Sequence, residues 1–255
     1  MAFSDYAGSF DRIVMTRSET GVLVMRLHSD GGPLMWDLDA QLQLARAFEE
    51  VAHDRGNRVV VLTGTGDIFS GPRVDPTAHG FFHDVRLTPS QADPVFVNGR
   101  RLVTALLNVG VPMIAAVNGP AMRHSDLALM CDIVIAADHA SFEDTAHFHL
   151  GSIVPGDGIS TVYTMLIGLN RARYLHLTGQ ILNARQALDL GLVSELHPLE
   201  RLAPRALELA EQLARKPDML LRHTRTVLIQ PLRQAIERDL QHFMALECLA
   251  AVDRQ

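Results

Sequence analysis

Two short segments concentrate the side chains able to move protons. The first is Asn118-Gly119-Pro120-Ala121-Met122-Arg123-His124-Ser125-Asp126, where a histidine and an aspartate directly follow an apolar run. The second runs from Phe142 to Gly158 and holds His147, His149 and, between two glycines, Asp157. Asp157 has the type and place of a helix N-cap. It also lies ten positions after His147, through Pro155 and Gly156, a turn that can bring the two side chains together. A carboxylate on one imidazole nitrogen fixes the tautomer and makes the other nitrogen a better base. His124, at a helix start, has the bland alternative of a structural histidine.

Three further features carry chemistry in one reading and packing in another. The spacing His147-x-His149 puts two imidazoles on one face if the segment is extended, as in a metal site, but such a site needs a third ligand and outer-shell support. Glu247 falls on an apolar helical stripe with Phe243, Met244, Ala250 and Ala251, where a carboxylate must be paired, protonated or turned to a polar pocket. Trp36, the one tryptophan, is either core or an indole N–H donor at a pocket. The loop Gly64–Gly71 matches neither a Walker loop nor a dinucleotide fingerprint and reads as a tight turn.

The elements that must position these residues are legible from periodicity. Residues 11–17 and 21–28 read as a hairpin, 37–54 as a helix with Leu38, Leu42, Ala45, Phe48 and Ala52 on one face and Asp37 as cap. Apolar strands at 58–62, 113–117 and 132–136 alternate with helices at 94–108 and 124–130, which predicts an α/β fold with a mostly parallel, buried sheet. The remainder reads as helices at 158–167, 170–178, 184–190, 201–215, 218–229 and 232–252, with Lys216-Pro217 and Gln230-Pro231 as breaks.

Composition narrows the class. With 255 residues, 47% of them hydrophobic, one large domain with a full core is expected. A net charge of −6 gives no basic surplus for nucleic acid or an anionic membrane. The single lysine, Lys216, stands before a proline in an interhelical turn, which disfavours Schiff-base chemistry. Two cysteines in apolar stretches, no signal-like start and no membrane-length apolar run predict a cytoplasmic protein.

Several segments resemble the crotonase (enoyl-CoA hydratase/isomerase) superfamily: Val59–Gly64 with Phe69, Pro112–Gly119, Leu127–Ala136, Ala140–Phe142, Ile153–Gly156, Leu177–Gly179 and Ala184–Val193. The resemblance implies a crotonase-like spiral of ββα units over residues 1–200, a C-terminal helical trimerisation region over 201–255, and a homotrimer or dimer of trimers. In CoA-dependent members a glycine-rich stretch holds the thioester oxygen; here Met122-Arg123-His124-Ser125 replaces it, and Pro72-Arg73 follows Gly71 at the other donor loop. Asp126 and His147 fall about where hydratases carry their two glutamates.

These departures resemble the β-diketone hydrolase branch typified by 6-oxocamphor hydrolase. The resemblance implies a catalytic set of Trp36, His124, His147, Asp157 and Glu247, with no cofactor and no metal. The link from His147 to Pro155 is one residue longer than in that branch. The implied reaction is hydrolytic retro-Claisen cleavage of a non-activated cyclic 1,3-diketone to a keto acid. His147, oriented by Asp157, activates water near its ordinary pKa of about 6.5, and His124 and Trp36 stabilise the enolate. Residues 73–97 and the tail are expected to shape the substrate. The alternatives are a CoA-dependent hydratase or isomerase using Asp126, and a non-catalytic binding subunit.

Overall fold

The computed structural model describes residues 2–72 and 87–253. Residues 73–86, which include Arg73 and much of the segment expected to shape the substrate, lie outside the described residues. The expected hairpin is β1 (Ile13–Arg17) and β2 (Val22–Leu27), paired antiparallel. β3 (Val59–Thr63), β4 (Met113–Val117), β5 (Ile133–Ala137) and a short β8 (Glu195–His197) extend it as parallel strands, giving the order β1-β2-β3-β4-β5-β8.

The parallel strands are apolar throughout because both faces are covered. Val60, Leu62, Met113, Ala115, Val134 and Ala136 face the main core. Val59, Val61, Ile114, Ala116 and Ile135 face α7 (Leu199–Ala214), whose Leu202, Ala206, Ala210 and Ala214 form the opposing stripe. Small residues spaced four apart let that helix lie close to the sheet. On the main-core side, α1 (Leu38–His53) is capped as expected, with Asp37 accepting a hydrogen bond from the Ala40 N–H. Its buried face is rotated from the expected stripe: Leu44, Phe48 and Val51 are buried where Leu42 and Ala52 are only half-buried.

Two helices differ in extent from what the sequence predicts. α2 (Pro89–Asn108) begins five residues early, because Thr88 and Gln91 form a capping box and Pro89 occupies the first helical position. The tail does not break at Pro231: α8 runs from Asp218 to Asp253 as one helix. The carbonyl deprived of its partner by Pro231 is that of Val227, a residue 71% exposed, so the proline falls on the solvent side of the helix, where its penalty is smallest. Between these lie α3 (Ser125–Leu129), β6 (Ser141–Phe142), α4 (Ile159–Ile167), α5 (Leu169–Thr178), β7 (Leu182–Asn183) and α6 (Ala184–Asp189). Among the described residues no helix is long and apolar enough to cross a membrane.

α8 is fastened to the sheet by two buried arginines, Arg222, which donates to the Arg55 and Asn57 carbonyls before β3, and the deeper Arg225. Arg225, 3% exposed, pairs with Asp132 at 2.8 Å and also donates to the carbonyls of Leu107 and Val109. Removing one member of such a pair leaves a buried charge and orphaned acceptors. Arg225→Ala is expected to lower stability by about 3–5 kcal/mol in chemical denaturation; an unchanged midpoint would show that this contact does not hold the helix.

Candidate active site

Each turn of the spiral leaves the main sheet and adds one backbone rung to a second, narrow layer. The rungs join Met35 to Gly71, Ser70 to Ala121 and Ala121 to Phe142, and β6 then pairs with β7. Residues just beyond these rungs therefore converge. Trp36 follows Met35, Arg123 and His124 follow Ala121, and Asp144 and His147 follow Phe142. His124 sits at φ 49°, in the left-handed region, as the residue before α3. Such a conformation is uncommon without glycine and is found where the surroundings hold a side chain in one direction. The fourth contribution comes from α8, which meets the Gly156 turn so closely that a Cβ there would lie 2.3 Å from the Phe243 carbonyl oxygen.

Imidazoles and carboxylates alternate through this region. His124 Nδ1 lies 3.2 Å from Asp157 Oδ2, and the same oxygen lies 3.5 Å from His147 Nε2. On its other side His147 Nδ1 is 2.5 Å from Asp144 Oδ1, and Asp144 Oδ2 is 2.6 Å from His176 Nδ1. The Trp36 ring stacks on His124 at 4.0 Å between centroids, tilted by 35°. Glu247 accepts the Gly156 N–H at 3.2 Å and places Oε1 4.0 Å from His147 Nε2. All five residues expected from the sequence are thus brought together around one cavity, which Arg123, Gln41, Val95, Gly99, Ile153 and Met244 also line.

One expectation needs correction, and the geometry decides two readings that the sequence left open. The carboxylate that orients His147 is Asp144, three residues before it, because the tight turn in which Gly151 N–H bonds the His147 carbonyl faces Nδ1 back along the chain. Asp157 instead accepts the Ile159 N–H with Oδ1 and turns Oδ2 between the two histidines. His149 does not join His147: the segment is a turn rather than a strand, and His149 is exposed with its ring over Gly179. Among the described residues Glu247 meets no arginine, and it faces the polar cavity instead.

Sequence reasoning missed Asp144, His176 and Arg123. Asp144 lies in the same segment as His147, but nothing in spacing marks it over Asp157. His176 comes from α5, and only the fold brings it to Asp144. Arg123 is 6% exposed, and its Nε lacks a hydrogen-bond partner among the described residues. Burial lowers its pKa to about 10, offset in part by the charge of Asp144.

Burial and charge shift the titrating groups in different directions. Burial works to lower the pKa of His147, but the Asp144 and Asp157 carboxylates outweigh it and raise it well above 6.5, not the unperturbed value expected. Burial would raise Asp144 and Asp157, and their histidine partners instead hold both low. Burial, with the charge of Asp157, pushes Glu247 up to about 8. Asp126 is fully buried and raised by that burial. Its oxygens have no hydrogen-bond partner among the described residues, and the nearer lies 3.7 Å from His124 Nδ1, beyond bonding distance.

His147, Asp157 and Glu247 each offer one donor atom, all within 4.8 Å of one another. That spread exceeds the roughly 3.3 Å edge of a tetrahedral zinc shell. Asp157 Oδ2 also faces His124 Nδ1, so as arranged the trio is wider than a closed zinc shell and shares one carboxylate with a second imidazole.

The Glu247 shift has a definite sign in stability. Its folded pKa of about 8 lies above the ordinary 4.5, so its contribution is fully present below pH 4.5 and is lost as pH rises through 8. Glu247→Gln keeps a neutral group at every pH. Its melting temperature is expected to gain on that of the parent protein between pH 5 and pH 9; parallel melting curves would mean that Glu247 is ionised throughout.

Comparison with known proteins matches the enoyl-CoA hydratase/isomerase family model to residues 18–247. The probable peroxisomal enoyl-CoA hydratase 1 of Arabidopsis thaliana is 33% identical over 208 residues, covering 81% of this chain and 72% of that protein. The 2,3-dehydroadipyl-CoA hydratase of Escherichia coli K12 is also 33% identical, covering 81% and 76%. Among solved structures, a beta-diketone hydrolase from the cyanobacterium Anabaena sp. PCC 7120, bound to (S)-3-oxocyclohexyl acetic acid, superposes with a TM-score of 0.90 and 35% identity. That match covers 98% of this chain and 97% of the other. An enoyl-CoA hydratase/isomerase from Mycobacterium paratuberculosis superposes at 0.82 with 25% identity, covering 95% and 94%. With the ββα spiral and the match across most of its length, the chain belongs to the enoyl-CoA hydratase/isomerase family, the crotonase superfamily.

Proposed function

We propose that the protein hydrolyses the C–C bond between the carbonyls of a non-activated cyclic 1,3-diketone, giving a keto acid. The observation that carries this is the buried row His124–Asp157–His147–Asp144 beside a cavity roofed by Trp36. The likeness to the Anabaena beta-diketone hydrolase supports it.

In this mechanism neutral His147, its Nδ1–H held by Asp144, takes a proton from water at Nε2. The hydroxide attacks one carbonyl carbon, and the tetrahedral intermediate collapses. The C–C bond breaks, and its electron pair becomes the enolate of the second carbonyl. A proton then returns to carbon, so the product is the substrate plus one water. The enolate oxygen needs donors placed where charge develops. The Nε2 edge of His124, the Trp36 indole N–H and the buried Arg123 guanidinium supply them. Asp157 holds the His124 ring, and protonated Glu247 positions the water beside His147 Nε2.

The cavity is small, about 50 Å³, against roughly 300 Å³ at the low end for small-molecule pockets. A ring therefore enters by displacing a side chain, and Met244 is the adaptable one. Its Cε occupies the space beside Gly99, where a Cβ would approach it to 2.7 Å.

The names of the relatives favour a second reading, hydration of an enoyl-CoA. That chemistry asks Asp126 to act as an acid, yet Asp126 is 0% exposed behind His124 and does not line the cavity.

Incubation of chelator-treated protein with monocyclic and bicyclic 1,3-diketones is expected to yield keto acids one water heavier. His147→Ala is expected to slow this by about 10²- to 10⁴-fold. Turnover of an acyl-CoA and none of the diketones would instead establish the hydratase reading. Because neutral His147 is the base and its pKa is raised, kcat/KM is expected to climb with pH through a limb above 6.5. A flat profile down to pH 5 would remove His147 from that role.

A further inference from the structure

Asp144 is bonded by two imidazoles, and the mechanism uses only one of them. His176, on α5, donates from Nδ1 to Asp144 Oδ2 at 2.6 Å while His147 donates to Oδ1 at 2.5 Å. His176 is 8% exposed, its ring meets Tyr163 edge to face at 5.6 Å, and its Nε2 is buried with no hydrogen-bond partner among the described residues. As core filling this is a poor arrangement, because an unsatisfied buried polar atom carries a desolvation penalty that an apolar side chain would avoid. Among the described residues, the bond to Asp144 is the one polar use the ring has.

We propose that His176 is a positioning residue for His147: through Asp144 it fixes the direction of the His147 ring and draws on the carboxylate's charge, so that His147 can be released as a base. This deepens the diketone-hydrolase reading and rests on it for its catalytic meaning. His147 stands between two carboxylates, and both favour its imidazolium form. Asp157 is shared with His124, and Asp144 is shared with His176. A second N–H donor on Asp144 weakens its hold on the His147 proton, as any hydrogen bond to the charged form does.

The surrounding charges have been fixed by the same fold. Arg123 and Glu143 lie in the loops beside Asp144, Asp126 and His124 come from the start of α3, and Asp157 and Glu247 face His147. Tyr163 of α4 faces His176, and Arg173, Arg238 and Asp239 line the outer cavity that His176 borders. Arg123 acts on Asp144 in the same direction as His176, but the structure gives it no hydrogen bond to that carboxylate, so the bonded partner is His176.

Asparagine and leucine have nearly the same shape, and asparagine places an amide N–H where the histidine has Nδ1. In His176→Leu the His147 ring, followed by nitrogen-15 NMR, is expected to titrate about one pH unit higher, a tenfold change in neutral imidazole. The kcat/KM limb is expected to move up with it, and His176→Asn to restore both. Equal behaviour of the two variants, with the His147 titration unmoved, overturns the proposal. If the leucine variant does not fold, the unmodified protein carries the test: interacting titration curves for His147 and His176 support the proposal, and two independent single-site curves overturn it. The NMR titration needs no substrate, so a protein inert toward diketones still shows whether His176 acts on His147.

Discussion

The sharing of Asp144 and of Asp157 between two imidazoles is the constraint on which the arrangement of this site depends. Asp144 and Asp157 have side chains only 4% and 7% exposed. An unpaired charge at that depth costs several kcal/mol. Each of these carboxylates has two imidazole partners, so it stays ionised, and its hold on either proton is weaker than an unshared carboxylate's. The arrangement needs three loops, two helices and a turn to arrive within a few ångströms. The spiral supplies this by returning each ββα unit to a single rung of the narrow layer.

The parts of this design that follow local rules were legible in the sequence. Val59–Thr63 and Met113–Val117 are unbroken apolar runs, and they became the doubly covered strands such runs require. Trp36, His124, His147, Asp157 and Glu247 were legible as a set only through the resemblance to the β-diketone hydrolase branch; residue types and spacing alone marked a loop-clustered His/Asp pair and a glutamate on an apolar stripe. The partner assignment within the set was not. Asp144 and Asp157 are both at plausible distances along the chain from His147, and the choice is made by which way the 147–151 turn rolls the ring. His176 carried no local signal at all, since its meaning lies in a contact across 32 positions. The expected break at Pro231 failed for an equally physical reason: proline's penalty depends on where the freed carbonyl lies, and Val227 is on the solvent side of the helix.

The family relationship sharpens what differs within the fold. Within that fold this chain presents rings and short carboxylates at one cavity. Asp126 is fully buried, and His124 takes a left-handed backbone conformation at the start of α3. The direction of the His124 ring depends on its neighbours, because Trp36 stacks on it and Asp157 Oδ2 lies 3.2 Å from its Nδ1.

The continuity of α8 makes that helix an indexing rod. Arg225 is anchored at the sheet and Glu247 enters the cavity 22 residues later, a span of about 33 Å at 1.5 Å per residue. A helix advances about 100° per residue. One residue gained or lost between those two points would swing Glu247 to another side of the rod and carry it away from His147. Side chains on the exposed face, such as Val227 and Leu228, are free to drift in type. The register of the stretch between anchor and cavity is not, so in any set of working relatives its length is expected to vary less than its residues do.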